Sequence, residues 1–436
     1  MQMMKWSVMA LAIAAATSQL AVASSQSDSK GFVEDSSFDI FSRALYMNRD
    51  FKNGASTIEA ETSGRRNGYA EETGLGIQGL FESGFTQGTI GFGVDAHTLS
   101  SIRLDTGRGR TGLGQFGVNG DGQAEETQTE VGGAVKARLS DSVLKYGNQM
   151  TASPVFATDD SRILPEVATG TLITSNEIEG LELSAGRFTA MSAQEYTGRD
   201  SINGPGEQGL VSANIAGISY SFNDNFSAAV HASDVEDYWT KKYLNLNYTV
   251  AVADDQSLNF DFNYYRTKDQ GLKLGDEMDN QLWSVAPAYT IGAHTFTVAY
   301  QRSTGDTGYD YGVDGGSTVF VANSVQYSDF IGEQERSWQA RYDLDMTSYG
   351  VAGLSFMTRY VRGTDIRVVD DADFESEGKE NEFNFETKYV FQDGAAKDLS
   401  LRLRSAIYRA NGAYNGDDNP DNNDVRLIAE YPLSIL

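Results

Sequence analysis

Apolar and polar side chains alternate along most of this chain. In the segment 257–266, Leu258 and Phe260 share one parity, while Asn259 and Asp261 share the other. Successive side chains of a strand point to opposite faces of a sheet, so the pattern predicts strands with one apolar and one polar face. Many such strands in one chain need an apolar solvent outside and water inside. The alternation therefore predicts an all-β fold, a transmembrane antiparallel β-barrel.

About 18 strands are predicted, an even number that returns both termini to the periplasmic side. Their connections are expected to alternate strictly between very short and long, with the long ones outside the cell. The long connections are 105–129, 151–167, 189–208, 304–333, 363–379 and 410–423. The predicted strands are 37–50, 69–83, 88–104, 130–139, 142–150, 168–176, 180–188, 209–221, 225–233, 241–253, 257–267, 281–291, 294–303, 334–346, 351–362, 380–392, 398–409 and 424–435.

The start of the chain has the pattern of an export signal. Lys5 precedes a short apolar core at 6–16, and small residues end at Ala23, so residues 1–23 are predicted to be a signal peptide. The apolar run is too short to cross a bilayer as a helix. Residues 24–436 contain no linker or composition break and are predicted to form one barrel domain, exported to the outer membrane of a Gram-negative bacterium.

The amino-acid composition restricts the molecules that this protein can bind. The formal net charge is −27, from 34 Lys and Arg against 61 Asp and Glu. Nucleic acid is not expected as a partner, because binding to phosphates needs a basic surface. The acids concentrate in loops, which indicates a solvated surface beside outer-membrane lipid and lipopolysaccharide. Cysteine is absent, so no disulfide can form, and no cofactor or metal site is predicted.

Charged residues inside the strands lie at the positions that alternate with the apolar ones, and we call these positions the polar parity. An arginine that faces lipid costs about 2–4 kcal/mol at the membrane midplane, so these charges are expected to face the lumen. Guanidinium groups bind carboxylates in a bidentate manner, and a row of them would guide carboxylates through a pore. Alternatively, they pair with luminal acids such as Asp343 and Glu386 and only stiffen the barrel. Arg187 lies on the apolar parity and could face the lumen or the interface. The cations on the polar parity include Arg341, Arg359, Lys388, Arg402, Arg404 and Arg426.

Two long loops carry apolar residues that an ordinary surface loop would not need. Loop 151–167 includes Val155 and Ile163, so we expect it to fold into the barrel and narrow it. Loop 304–333 contains the apolar run 319–322 and is interpreted as a second inward segment, with a bulky extracellular loop as the alternative. The constriction is assigned to Phe156, Asp159, Asp160, Ser161 and Arg162.

Several long stretches closely resemble the OprD-like (outer-membrane porin D) family of substrate-specific porins. They include GFVEDSSFDIFSRALYMNRDF, ESGFTQGTIGFGVDA, SPVFATDDSRILP, ANSVQYSDF, SWQARYDLDMTSYG and AKDLSLRLRSAIYRAN. The resemblance implies an 18-stranded, monomeric-type barrel that is narrowed by the third and seventh long loops and has a luminal basic ladder. It implies that Asp329 receives a substrate amine. By position, the ladder falls on Arg49, Lys388, Arg402, Arg404 and Arg426, and a pocket falls on Ser324, Tyr327 and Asp329.

The expected function is passive uptake of small carboxylate or amino-acid solutes, chiefly amino acids with a positive group, by a monomer or weak trimer. An anion-selective channel for aromatic or other monocarboxylates is the first alternative. A non-transporting barrel that acts as an adhesin or structural protein is a second. A barrel hydrolase is the remaining alternative. An enzyme is not expected, because His97, His231 and His294 are the only histidines and no G-x-S-x-G motif surrounds a serine.

Overall fold

The alternating segments form one closed sheet of 18 antiparallel strands, in which sequence neighbours pair and the first strand pairs with the last. Closure leaves no sheet edge unpaired, which lipid requires because it cannot hydrogen-bond the backbone. This computed structural model describes residues 26–53, 67–106, 109–119, 123–199, 208–369, 374–416 and 419–436. The predicted signal peptide, 1–23, lies outside the described residues.

The prediction of a transmembrane β-barrel is confirmed, and each predicted strand overlaps one strand of the barrel. The even count places the start of the first strand and the end of the last strand at the periplasmic end. The barrel strands are β1 Ser37–Phe51, β2 Tyr69–Glu82, β3 Ile90–Thr106, β4 Thr127–Leu139, β5 Ser142–Gln149, β6 Val167–Ile178, β7 Leu181–Ser192, β8 Ala213–Asn223, β9 Phe226–Val235, β10 Trp239–Ala253, β11 Gln256–Asp269, β12 Asp279–Ile291, β13 His294–Gly305, β14 Arg336–Asp345, β15 Leu354–Val369, β16 Glu375–Val390, β17 Ser400–Ala410 and β18 Asn422–Ser434.

The other regular elements are small. A hairpin of two-residue strands, Ala152–Ser153 and Phe156–Ala157, lies in the loop between β5 and β6. Single turns of 3₁₀ helix occupy Gln26–Asp28, Thr347–Tyr349 and Gly394–Ala396. No helix among the described residues is long and apolar enough to cross a membrane.

The two faces of the sheet differ as the alternation predicts. Large apolar side chains such as Phe92 and Trp338 are exposed on the outer face, where lipid would cover them. Arg187 also lies on the outer face, in cross-strand register with Asn214 at the extracellular edge of β8. Its guanidinium Nη1 donates to the Asn214 Oδ1 at 3.0 Å and its Nη2 lies 3.9 Å from a Glu236 carboxylate oxygen. Arg187 therefore faces the extracellular interface, not the lumen.

The predicted strict alternation of short and long connections is wrong. The extracellular connection between β9 and β10 spans only 236–238. The predicted long loop 363–379 is mostly strand, because β15 continues to Val369 and β16 begins at Glu375. Arg367 stabilises this extension, since its guanidinium contacts Glu375 at 2.6 Å and Glu333 at 2.8 Å. Cross-strand charge pairs thus extend a hairpin that the alternation alone does not reveal.

Candidate functional site

The loop between β5 and β6 folds into the barrel and packs on its inner wall. The Phe156 ring stacks on the luminal Phe188 with centroids 4.4 Å apart, and both side chains are fully buried. The Tyr265 hydroxyl of β11 donates to the Pro154 carbonyl at 2.8 Å. Phe156 therefore anchors the loop to the wall, and the polar residues that follow it are left to line the opening.

Arg43 of β1 fixes the tip of this loop and was not identified from the sequence. Its buried guanidinium donates from Nη1 to Asp160 Oδ1 at 2.8 Å and to the Arg162 carbonyl at 2.6 Å, and from Nε to Glu430 at 2.9 Å. Gly76 lies opposite Arg43 in the register, where a Cβ would collide with the backbone of the loop. Arg43 has the same parity as Arg49, so the parity rule could have found it.

We predict that Arg43→Met widens the opening. The change leaves Asp160 and the Arg162 carbonyl without their donor, and a lost hydrogen bond between charged groups costs about 1.5–3 kcal/mol. Single-channel conductance should rise and become noisier, because the loop tip gains freedom. Arg138→Met is the matched control, since Arg138 contacts Gln26 near the periplasmic end and not the loop. An unchanged conductance in Arg43→Met would show that other contacts hold the tip.

The loop between β13 and β14 also folds inward, as predicted, and the alternative of a bulky extracellular loop is wrong. The Ala322 amide donates to the Ser284 hydroxyl at 3.0 Å and the Asn323 amide donates to Gln301 Oε1 at 2.8 Å. The Asn323 side chain donates to Ser337 at 2.8 Å. Luminal side chains of three successive strands thus hold the loop against the wall.

The two inward loops are joined to each other and to β10. Lys241, fully buried on β10, forms an ion pair of 2.7 Å with the equally buried Asp314 of the second loop. The Trp239 indole Nε1 donates to the same carboxylate at 2.9 Å. Gly315, whose φ is 100°, packs its α-carbon against the backbone of Ala157 in the first loop. The constriction is therefore one assembly of two loops with a buried charge at its base.

The predicted cations lie on one wall of the lumen, from β14 to β18 and β1. We call Arg49, Arg341, Arg359, Lys388, Arg402, Arg404 and Arg426 the basic ladder. The cross-strand register arranges it in successive rows two residues apart, a step of about 7 Å along a strand. From the extracellular side the rows are Arg341–Arg359–Arg49, Arg404–Arg426 and Lys388–Arg402.

Carboxylates of the same wall neutralise part of the ladder. Glu386 lies 3.2 Å from Arg404 Nε and 3.4 Å from Arg402 Nε, so one acid is shared by two arginines. Asp424 is shared in the same way by Arg49, at 3.0 Å, and Arg426, at 2.8 Å.

Three further cations belong to the ladder. Arg359 has no ion-pair partner among the described residues, and its Nε donates to Asn384 Oδ1 at 2.7 Å. Arg341 pairs with Asp343 at 2.7 Å. Lys388 has no ion-pair partner in the part of the chain that the structure describes. The wall is therefore stiffened by ion pairs, and it still carries excess positive charge.

The loop between β5 and β6 adds one cation and one acid to the opening. Burial lowers the pKa of Arg162 to about 10, and the nearby charges of Arg426 and Arg49 act in the same direction. Asp159 binds the Ser161 amide and hydroxyl at 2.8 and 2.7 Å. Arg162 thus extends the ladder onto the loop, while Asp159 supplies negative charge beside it.

The predicted pocket residues separate into two groups. The Ser324 and Tyr311 hydroxyls each donate to the Asp329 carboxylate at 2.5 Å. Burial raises the pKa of Asp329, and the charge of Asp159 raises it further. Tyr327 instead lies on the ladder side, where its ring is 4.7 Å from the Arg49 guanidinium carbon. Ser324 and Asp329 therefore form an acidic site with Tyr311, which sequence analysis missed, and Tyr327 belongs to the basic wall.

Comparison with known proteins identifies a family and solved structures that this barrel resembles. A family model described as outer membrane porin, OprD family, matches residues 30–435. Porin D of Pseudomonas aeruginosa is 45% identical over 463 residues, covering 100% of both chains. An improved crystal structure of Pseudomonas aeruginosa OprD has a TM-score of 0.78 and 42% identity, covering 95% of this chain and 99% of its own. The crystal structure of Pseudomonas aeruginosa OpdK with vanillate has a TM-score of 0.82 and 31% identity, covering 93% and 100%.

Proposed function

The chain belongs to the OprD family of outer membrane porins, and we propose that it admits small carboxylate-bearing nutrients, chiefly basic amino acids and similar compounds. Uptake is passive and is guided by the basic ladder. The observation that carries the proposal is the sharing of single carboxylates between two arginines, at Glu386 and at Asp424. Each shared pair keeps one excess positive charge inside the channel, where a substrate carboxylate can bind.

The spacing of the ladder supports movement from row to row. Rows about 7 Å apart allow a carboxylate to contact the next arginine before it has left the previous one. The shared acids also keep the binding of a substrate carboxylate weak at each of these sites, because part of each guanidinium is already occupied. A channel needs binding that is favourable enough for entry and weak enough for release.

The acidic site on the loops favours substrates with an additional positive group. Asp159 and Asp329 lie close enough for the charge of one to raise the pKa of the other. Neither residue has an ion-pair partner among the described residues. Hydroxyl groups donate to both carboxylates but do not neutralise their charge, which can therefore attract a substrate ammonium. A basic amino acid could satisfy the ladder with its carboxylate and this site with its side chain.

We predict that Asp329→Asn lowers arginine uptake about fivefold and leaves benzoate uptake unchanged or higher. The change keeps the shape and removes a charge worth about 1 kcal/mol to an ammonium at 4 Å, even at the dielectric of water. Because the pKa of Asp329 is raised, wild-type arginine uptake should decline on acidification at a higher pH than an ordinary aspartate would give. The Asn variant should lack this decline.

Liposome swelling with arginine and with benzoate measures both effects. Asp306→Asn, at an exposed acid of the same loop, is the matched control and should change neither substrate. Equal losses for both substrates, or no loss for either, would contradict a role of Asp329 in selecting charge.

A channel selective for aromatic or other monocarboxylates is the second candidate. The solved structure of OpdK contains vanillate, an aromatic carboxylate, and such a ligand would need the ladder alone. The hydroxyls of Ser324 and Tyr311 already occupy the Asp329 carboxylate, which is the observation that favours this alternative. If wild-type liposomes admit benzoate faster than arginine, the monocarboxylate channel becomes the better description.

A further inference from the structure

Three arginines cluster on the outer face of the barrel, at the extracellular ends of β13, β14 and β15. Arg302 lies directly opposite Arg336 in the register. Arg362 is two residues from Thr364, which lies opposite Arg336 on the other side. Diagonal neighbours on adjacent strands are about 7–8 Å apart, so Arg336 stands between Arg302, directly opposite it, and Arg362, diagonal to it. Arginine on this face is costly unless it meets an anion in the interface.

The cluster has excess positive charge. Arg336 Nε contacts Asp365 at 2.5 Å. Arg302 and Arg362 have no ion-pair partner in the described parts of the chain. The outward group of three arginines and one aspartate is thus net positive, although the protein has a net charge of −27.

Aromatic rings fix the depth of this cluster in the membrane. Trp338 lies opposite Arg362 and also opposite Tyr300, and the two aromatic rings are 4.7 Å apart. Trp283 packs on Tyr300 at 5.3 Å. Outward-facing aromatic girdles mark the boundary between acyl chains and headgroups. The three arginines therefore lie at the level of the headgroups in the outer leaflet.

A groove runs down the lipid-facing wall below the arginines. Its volume is about 440 Å³, and Arg336 and Trp338 lie at one end of it. The groove lies where Pro287 interrupts the sheet, because proline lacks the N–H that a ladder needs. The β12–β13 ladder pairs Val285 with Tyr300 and resumes only at Ala288, opposite Thr297. The remaining lining is apolar: Val285, Pro287, Val298, Ala299 and Tyr300.

We propose that this surface binds lipid A, the phosphorylated glycolipid that anchors lipopolysaccharide in the outer leaflet. One lipid A phosphate binds between Arg302, Arg336 and Arg362, since guanidinium groups bind phosphate in a bidentate manner. One acyl chain lies in the groove beside Pro287. Basic residues beside an apolar groove at a membrane surface are the chemistry that recognises an anionic lipid.

The position of the site in the outer leaflet favours lipid A over other anionic lipids. The arginines lie at the extracellular end, and the outer leaflet there consists of lipopolysaccharide. A second copy of this chain would need a matching acidic patch on its outer face. The occupant therefore has both a phosphate and an acyl chain and enters from the outer leaflet.

The test compares three forms of the full-length protein purified in mild detergent. The first is wild type, the second is Arg302→Gln/Arg336→Gln/Arg362→Gln, and the third is Arg187→Gln/Lys242→Gln/Lys268→Gln. The third removes the same number of outward, exposed cations from β7, β10 and β11, away from the groove. The dissociation constant for purified lipopolysaccharide should rise at least about tenfold in the second form and less than about twofold in the third.

Two further comparisons assign the two parts of the ligand. Val298→Trp fills the groove and leaves the arginines, so it should weaken lipid A binding without changing net charge. Wild type should bind lipid A with its phosphates removed at least about tenfold more weakly. Equal binding by the arginine variant and its control would overturn the proposal. So would equal affinity for phosphatidylglycerol, or a dimer in wild type that the arginine variant lacks. The arginine variant should have the same single-channel conductance as the wild type, which would show that its barrel is intact.

Discussion

Replacing Arg402 and Arg404 together with alanine is expected to lower the flux of carboxylate solutes about thirtyfold while the barrel still folds. Two cations are lost, each worth about 1 kcal/mol to an anion at 4 Å in water. The structure adds a second effect, because both arginines share Glu386. Without them, this carboxylate stands alone in the channel and repels the anions that the pair attracted.

Two variants of Glu386 separate these effects. Adding Glu386→Gln to the double variant removes the exposed carboxylate and should recover part of the flux. Glu386→Gln alone frees both arginines, so carboxylates should bind more tightly and saturate the channel at lower concentration. Liposome flux and single-channel block by a carboxylate provide the measurements. Wild-type flux in the double variant would rule out the ladder as a guide.

The barrel and its charged wall could be predicted from the sequence because lipid imposes a strict rule. Apolar and polar side chains must alternate along each strand, and a charged side chain that faces lipid is costly. Parity thus placed Arg402, Arg404 and Arg426 on one face, and short turns between strands set which strands are neighbours. The same rule applied to β1 would have identified Arg43, which was overlooked beside Arg49.

The inner contacts of the loops could not be predicted in this way. Loop residues follow no period, so nothing in the sequence relates Lys241 to Asp314 or Arg43 to Asp160. Apolar content did reveal that both loops fold inward, because Phe156 and its neighbours need a wall to pack on. It did not reveal that Tyr327 turns toward Arg49. That orientation depends on contacts between strands and loops far apart in the sequence.

Breaking the buried ion pair between Lys241 and Asp314 is predicted to have the second large effect on the channel. Lys241→Met is expected to release the joined loops and raise single-channel conductance severalfold. Both charges are fully buried, and the lysine Nζ also lies 4.7 Å from the Trp239 ring and 4.6 Å from the Tyr309 ring. Removing one partner of a buried ion pair costs about 3–5 kcal/mol, because the other charge stays in an apolar surrounding. Moving Asp314 into water removes this cost, and that movement would release the loop.

The double variant Lys241→Met/Asp314→Asn tests this reasoning. Asparagine keeps an oxygen that can accept from the Trp239 indole, which donates to Asp314 at 2.9 Å, and it leaves no charge to be buried. Replacing both partners of a buried pair with neutral groups is often harmless. The double variant should therefore return to wild-type conductance and selectivity, although it carries one more substitution than the single variant. If the double variant conducts as freely as Lys241→Met, the lysine holds the loops by packing and not by its charge. If neither variant changes conductance, the remaining contacts between the loops and the wall suffice to hold the constriction.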